Sequence, residues 1–301
     1  MIIGSHVSFG KEQLLGSARE AISYGANTFM FYTGAPQNTV RKSIDMELVN
    51  KAKELMIAHD IDINNVICHA PYIVNLANNQ DPIKYDFSIQ FLKKELCRCE
   101  EIGVSYIVLH PGSSVGLDRT VALDNIAFAL NQILEDSKVT ILLETMAGKG
   151  TECGCTLEEI KYLLDKVKFQ EHIGVCLDTC HLNDAGYDMK EFNIFLDKFD
   201  TMIGLSYVKC IHINDSKNAF LSHKDRHANI GYGTIGFQAL ESIIKNPRLE
   251  NIPKILETPY IGNTDTDKEK LYPPYKFEID MIKKGEFNTN MMEDIRDYYN
   301  K

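Results

Sequence analysis

The residues best suited to do chemistry in this sequence are histidines and carboxylates that close short apolar runs. In one example, residues 174–177 are followed by Asp178, and we expect His181, three residues later, to lie where the next loop begins. Five further apolar runs close in the same way, at His69, His110, Glu144, His212 and Glu257. Imidazoles and carboxylates together are typical ligands of Zn, Mn, Fe or Co. The pattern therefore indicates a metal site built where strands end.

The spacing of these closing residues indicates how the strands are connected. From His110 to His212, successive ligand-type residues follow one another at intervals of 34 residues. One strand, one crossover helix and their loops take about 30 residues or more. We therefore expect one ligand-type residue per strand–helix unit, with all of them at the same edge of a parallel sheet.

Eight strand patterns alternate with eight helical patterns along the chain. The predicted strands cover residues 2–8, 28–33, 65–69, 106–110, 140–144, 174–178, 207–213 and 254–257. This alternation predicts an α/β fold, a closed (β/α)8 TIM barrel of typically about 250 residues with its site at the carboxyl ends of the strands. We expect residues 1–285 to form this single barrel domain, and residues 286–301 to be a C-terminal tail, either frayed or a small appendage.

Composition sets limits on the class of protein. The chain has 301 residues, of which 44% are hydrophobic and 25% charged, as in an ordinary soluble globular protein. The formal net charge of −10 argues against a generally basic surface that coats nucleic acid, although bound divalent cations would reverse the sign within one pocket. Because no apolar run approaches the roughly 20 residues of a membrane span, we expect no membrane contact and a cytoplasmic location.

The number of candidate ligands favours more than one metal ion. The loop after the seventh strand adds Asp225 and His227 to the set, which then holds five histidines and four carboxylates. A single zinc takes about four ligands, so the count suits two or three ions with bridging carboxylates. Sites of this kind activate water and stabilise both the attacking and the leaving oxygen in phosphoester hydrolysis.

Several of these segments resemble a known family. CLDTCH, HINDSK, KDRHANIG, ILETP and LLETMAGKG are similar to the signature segments of the endonuclease IV family of abasic-site (AP) DNA endonucleases. The resemblance extends from Ile2 to about Gly285. It implies a zinc-dependent (β/α)8 barrel with three zinc ions per chain, expected to act as a monomer. The implied reaction is base-excision DNA repair: hydrolysis of the phosphodiester 5′ to an abasic site in double-stranded DNA, which leaves a 3′-hydroxyl and a 5′-deoxyribose phosphate, and removal of 3′-blocking groups.

The resemblance also implies which residues hold each zinc. The first ion would be bound by His69, His110 and Glu144. The second would be bound by Glu144, Asp178, His212 and Glu257, and the third by His181, Asp225 and His227. Glu144 or Glu257 would orient or deprotonate the attacking water.

Contacts to the duplex are implied at loop positions. Tyr72, in the segment HAPYIVNL, matches a tyrosine that the family inserts into the minor groove while the damaged nucleotide is flipped out. Gln37, in the loop after the second strand, would fill the base stack. Arg41, among other basic residues near this face, is a candidate phosphate contact. Alternatively, Tyr72 is simply a packed loop residue.

Two other functions remain open from the residues alone. A metal-dependent sugar isomerase or epimerase shares the barrel and a His/Glu/Asp cluster, but needs only two metals and has no use for Asp225 and His227. A non-catalytic zinc-loaded barrel that only binds DNA or a partner would carry the same ligands. An open coordination position separates catalytic from structural zinc, and a sequence does not display one.

Overall fold

In a computed structural model that describes residues 1–301, eight parallel strands close into a barrel. The barrel strands are β1 (Ile3–His6), β2 (Thr28–Phe31), β3 (Ile67–His69), β4 (Tyr106–Leu109), β5 (Thr140–Glu144), β6 (Ile173–Asp178), β7 (Val208–Ile213) and β10 (Lys254–Leu256). Each strand pairs with its neighbour in the chain, and β1 pairs with β10 to complete the ring. Two short strands, β8 (Asp215–Ser216) and β9 (His227–Ala228), form a separate antiparallel pair.

The helices alternate with the barrel strands, so the predicted (β/α)8 TIM barrel is confirmed. They are α1 (Gln13–Ser23), α2 (Met46–Ala58), α3 (Pro82–Ile102), α4 (Arg119–Leu134), α5 (Leu157–Lys166), α6 (Thr179–Ala185), α7 (Phe192–Met202), α8 (Phe237–Ile244), α9 (Tyr275–Lys284) and α10 (Met291–Tyr299). None of them combines the length and apolar character that a membrane-spanning segment needs.

Side-chain caps fix where several helices begin. The Asp118 carboxylate accepts hydrogen bonds from the backbone N–H groups of Thr120 and Val121, at 2.9 and 3.3 Å. Such a cap satisfies donors that the first helical turn leaves free. The helix α4 therefore starts at Arg119. Thr156 caps α5 in the same way.

The segment after β6 differs from the prediction, because the structure has the short helix α6 where the sequence suggests a loop. The Asp178 carboxylate accepts the backbone N–H of His181 at 2.7 Å, which starts a helix directly at the strand end. Gly186 ends it with φ +101°, a conformation that favours glycine. His181 is therefore held on a helix rather than in a loop.

A layer of apolar side chains fills the barrel interior below the carboxyl ends of the strands. Its seven members are Met30, Ile67, Val108, Leu142, Cys176, Cys210 and Ile255. Side chains alternate along a strand, so the residue two positions further on faces the same interior, one layer nearer the mouth. Six members are followed at that position by the residues that close the apolar runs: His69, His110, Glu144, Asp178, His212 and Glu257. The alternation of side chains along the strands thus brings these six residues together near the mouth of the barrel.

The residues beyond Gly285 include α10, which packs on the barrel. Met291 and Ile295 are buried in the main core, and the Arg296 Nε–H donates to the Gly262 carbonyl at 3.0 Å. The single barrel domain over residues 1–285 with a tail over 286–301 stays a prediction.

Candidate metal centre

Glu144, at the end of β5, lies at the centre of the cluster and is only 1% exposed. Its Oε2 lies 3.2 Å from His69 Nε2 and 3.0 Å from His110 Nε2. Its Oε1 lies 3.1 Å from His212 Nδ1 and 3.3 Å from His181 Nδ1. One carboxylate therefore contacts imidazoles from four segments of the chain, as expected of a ligand shared between metal ions.

The first of three groups consists of His69, His110 and Glu144, whose ligand atoms lie within 4.8 Å of one another. The His69 Nδ1–H donates to the carbonyl of Ala70 at 2.7 Å, which leaves Nε2 facing Glu144. The tautomer is assigned from this hydrogen bond. Histidines that ligate metals usually donate their other ring N–H to such an acceptor, which fixes the orientation of the ring.

The second group consists of Glu144, Asp178, His212 and Glu257, again within 4.8 Å. Asn214, which the sequence analysis did not single out, connects two of them. Its Nδ2 donates to Asp178 Oδ2 at 2.7 Å, and its Oδ1 accepts the backbone N–H of Glu257 at 3.0 Å. The sequence gives no sign of this role, because Asn214 follows β7 and contacts residues that are distant from it in the chain.

The third predicted set, His181, Asp225 and His227, is also brought together. Asp225 Oδ1 lies 3.1 Å from His181 Nε2 and 3.6 Å from His227 Nε2. The Nδ1–H groups of the two histidines donate to the backbone carbonyls of Thr145 and Glu257, at 3.0 and 3.2 Å. His181 and His227 also form a group within 4.8 Å together with Asp178, which therefore lies between the second and third sets.

Burial and charge shift the pKa values of these groups in opposite directions. Burial raises the pKa of Glu144, but the nearby His212 holds it well below its usual range. The pKa of Glu257 is lowered in the same way, since His212 outweighs burial. Burial lowers the pKa of His181, yet Asp178 and its other carboxylate neighbours raise it well above its usual value. Without metal, the cluster holds protons that a metal ion must displace, so binding should release protons.

The two residues expected to contact DNA lie in loops at the carboxyl ends of the strands. Tyr72 follows β3 and is 52% exposed, and Gln37 follows β2 and is exposed. Both residues stay predicted DNA contacts. Neither residue belongs to a metal group.

Arg41 does not have the surroundings of a phosphate contact. Its Nε lies 2.8 Å from Glu95 Oε1, and the two side chains are only 9% and 0% exposed. Its Nη1 donates to the carbonyls of Ala35, Asn38 and Val40. Arg41 instead holds the shape of the loop that carries Gln37.

Comparison with known proteins identifies close relatives. Residues 18–283 match a family model described as a xylose isomerase-like TIM barrel. The chain is 50% identical over 298 residues to a probable endonuclease 4 of Latilactobacillus sakei, covering 98% of both chains. It is also 50% identical over 296 residues to a probable endonuclease 4 of Geobacillus kaustophilus, covering 97% of both.

Solved structures share the fold, and an endonuclease IV has a higher TM-score with this chain than an epimerase-like protein does. The chain resembles endonuclease IV from Thermus thermophilus with a TM-score of 0.78 and 28% identity, covering 98% of this chain and 100% of that one. A D-tagatose 3-epimerase-like protein has a TM-score of 0.67 at 17% identity, covering 99% of this chain and 100% of that one, which shows a shared barrel only. The sequence relatives, the family model and the ligand groups at the barrel mouth together establish that this chain belongs to the endonuclease IV family.

Proposed function

We propose that the chain is a zinc-dependent AP endonuclease of DNA repair. It hydrolyses the phosphodiester 5′ to an abasic site in double-stranded DNA, leaving a 3′-hydroxyl and a 5′-deoxyribose phosphate, and it also removes 3′-blocking groups. It acts as a monomer in the cytoplasm. Relatives named probable endonuclease 4, at 50% identity over nearly the full length, support a nuclease over a sugar epimerase.

The observation that carries this proposal is the contact of Glu144 with four histidines inside a buried, charged cluster. A single ion needs about four ligands, whereas the cluster offers nine imidazoles and carboxylates. Glu144 and Asp178 each belong to two of the groups. Shared carboxylates of this kind would hold metal ions close enough to act on one phosphate.

The donor atoms fit metal ions. Nε2 of His227, which lies 3.6 Å from Asp225 Oδ1, is buried and has no hydrogen-bond partner. Buried polar nitrogens are rarely left unpaired, but a nitrogen that ligates a metal needs no hydrogen bond. We propose three zinc ions per chain, held by His69, His110 and Glu144, by Glu144, Asp178, His212 and Glu257, and by His181, Asp225 and His227.

Zinc ions held by these residues would lower the pKa of water and neutralise charge that develops on phosphoryl oxygens. The protein contributes orientation and a proton acceptor. Glu257 is the more accessible of the two catalytic candidates, with a side chain 17% exposed compared with 1% for Glu144. We assign Glu257 to orienting the attacking water and accepting its proton, and Glu144 mainly to holding metal.

Duplex recognition is assigned to the exposed loops. Flipping a nucleotide costs a few kcal/mol and costs least at a damaged site, which by itself favours abasic DNA. Tyr72 would enter the minor groove and stack in the gap, since an aromatic ring can replace the lost base contacts. Gln37 would fill the remaining space from the loop after β2.

The proposal is tested by the chemistry of the products. A duplex with one stable abasic analogue, labelled at the 5′ end of the damaged strand, should be cut once, and a DNA polymerase should extend the labelled product because it ends in a 3′-hydroxyl. An identical duplex without the lesion serves as control and should stay intact. A cut on the 3′ side, or equal cleavage of both duplexes, would contradict the proposal. Turnover of a ketohexose without DNA cleavage would instead favour a sugar epimerase.

A further inference from the structure

We propose that Asp184, a buried carboxylate on α6, positions Asp225 against His181 and thereby assembles the third metal group. Asp225 lies in the loop between β8 and β9, residues 217–226, here called the ligand loop. Asp184 itself belongs to none of the metal groups, so its role is to hold the loop rather than to bind metal. The inference rests on the proposed function, because it concerns how one of the proposed metal groups forms.

The contacts of Asp184 join α6 to both ends of the ligand loop. Its side chain is 0% exposed. Oδ1 accepts hydrogen bonds from Ser216 Oγ at 2.7 Å and Asn183 Nδ2 at 3.1 Å. Oδ2 accepts from Asn218 Nδ2 at 2.8 Å and from the backbone N–H of Asp225 at 3.1 Å. All four donors are neutral, and a buried carboxylate is tolerated only when hydrogen bonds of this kind compensate it.

The backbone of the ligand loop needs such support. Leu221, His223 and Asp225 have φ values of +59°, +53° and +52°, a region that residues other than glycine rarely adopt. Conformations like these persist only where surrounding contacts impose them. The backbone N–H groups of Leu221 and His223 donate to the carbonyls of Asn183 and Asp184, at 3.1 and 3.0 Å. The loop is therefore shaped against the end of α6.

The geometry links this support to the metal group. His181 lies on α6, three residues before Asp184, and its Nε2 is 3.1 Å from Asp225 Oδ1. One short helix thus carries a metal ligand and also the carboxylate that holds the partner ligand in place. His227 follows the loop in β9, whose pairing with β8 holds it independently. Losing Asp184 should therefore release Asp225 while His181 and His227 stay in position.

The test uses Asp184→Ala, which removes the acceptor of both Asn218 Nδ2 and the backbone N–H of Asp225. Asn218→Ala removes one contact from the loop side and keeps the test possible if Asp184→Ala fails to fold. Asp165→Ala, at an exposed carboxylate on α5, is the matched control. Hydrogen exchange of the ligand loop is measured in metal-free protein, and zinc content is measured after dialysis against a limiting chelator.

We expect loop amides to exchange at least about 10-fold faster in Asp184→Ala than in wild type, with the barrel strands unchanged. One zinc per chain should be lost, while the control keeps wild-type exchange and zinc. Asn218→Ala should show the same changes to a smaller degree. Unchanged loop exchange, or a loosened loop with full zinc content, would overturn this inference alone. A wild-type protein that retains no zinc would overturn the proposed function, and this inference with it.

Discussion

At the residue scale, Glu144 is the side chain on which most of the cluster depends. Its two oxygens contact four imidazoles, and it belongs to two of the metal groups. A neutral amide of the same shape keeps the packing but loses the charge that attracts metal ions. Replacing Glu144 by glutamine therefore tests its electrostatic role without changing the size of the side chain.

We predict that Glu144→Gln binds zinc at least about 100-fold more weakly than wild type, because replacing even the residues that support a ligand costs 10- to 100-fold. Titration with a zinc-selective chelator measures this. Glu101→Gln, at an exposed carboxylate near the end of α3, is the control and should match wild type. Equal zinc affinity in Glu144→Gln and wild type would show that Glu144 is not a ligand.

Tyr72 offers a second residue-scale test, of DNA binding without metal chemistry. Stacking of a base on an aromatic ring contributes about 1–3 kcal/mol, so Tyr72→Ala should bind abasic duplex roughly 5- to 150-fold more weakly and keep its zinc content. Fluorescence anisotropy with a labelled duplex measures the affinity. Phe128→Ala is the control, since Phe128 is 60% exposed but lies on α4. A loss of zinc along with binding would mean that Tyr72 is structural.

At the element scale, the loop after β2 depends on a buried ion pair between Arg41 and Glu95 of α3. We predict that Arg41→Ala lowers the free energy of unfolding by about 3–5 kcal/mol, because it leaves the Glu95 charge buried without its partner. Lys51→Ala breaks an exposed pair with Glu47 and should cost only about 0.3–0.5 kcal/mol. Denaturant unfolding distinguishes the two. Similar small losses in both variants would contradict the role assigned to Arg41.

The element scale also shows what could be predicted from the sequence. Regular apolar runs with closing His, Asp or Glu residues predicted the barrel, which the structure confirms, because periodicity and spacing are local properties. The helix α6 was missed, since it depends on Asp178 acting as a cap for His181. Asn214 and Asp184 were missed because their roles arise from contacts with distant segments. In the sequence, both positions hold a polar residue with no feature that marks it as functional.

At the scale of the whole molecule, Glu278 connects α9 to the far side of the site. Its Oε1 accepts from Asn229 Nδ2 and from the backbone N–H of Ile230, at 3.2 and 3.0 Å, and Thr258 Oγ1 donates to its Oε2. Burial raises the pKa of Glu278 to about 7. In the unfolded chain the group ionises near its ordinary value of 4.5, so the folded state holds the proton over a range in which the unfolded state has lost it.

Because the unfolded state binds fewer protons in this range, the contribution of Glu278 to stability is present below pH 4.5 and is lost as the pH rises to about 7. We therefore predict that Glu278→Gln, relative to wild type, is more stable at pH 8 than at pH 5, by roughly 3 kcal/mol at most. Denaturant unfolding of both proteins at the two pH values measures this difference, with Glu101→Gln as a control that should show none. An equal offset at pH 5 and pH 8 would contradict the shifted pKa.

The central claim is that metal ions at the barrel mouth cut DNA 5′ to an abasic site, and the most direct test is cleavage of a duplex bearing one stable abasic analogue without added magnesium. Wild type should give a single cut on the 5′ side. His181→Ala should be at least about 100-fold slower, because it removes a proposed zinc ligand, whereas His59→Ala, at an exposed histidine after α2, should match wild type. Absence of any cut by wild-type protein shown to contain three zinc ions per chain would contradict the account.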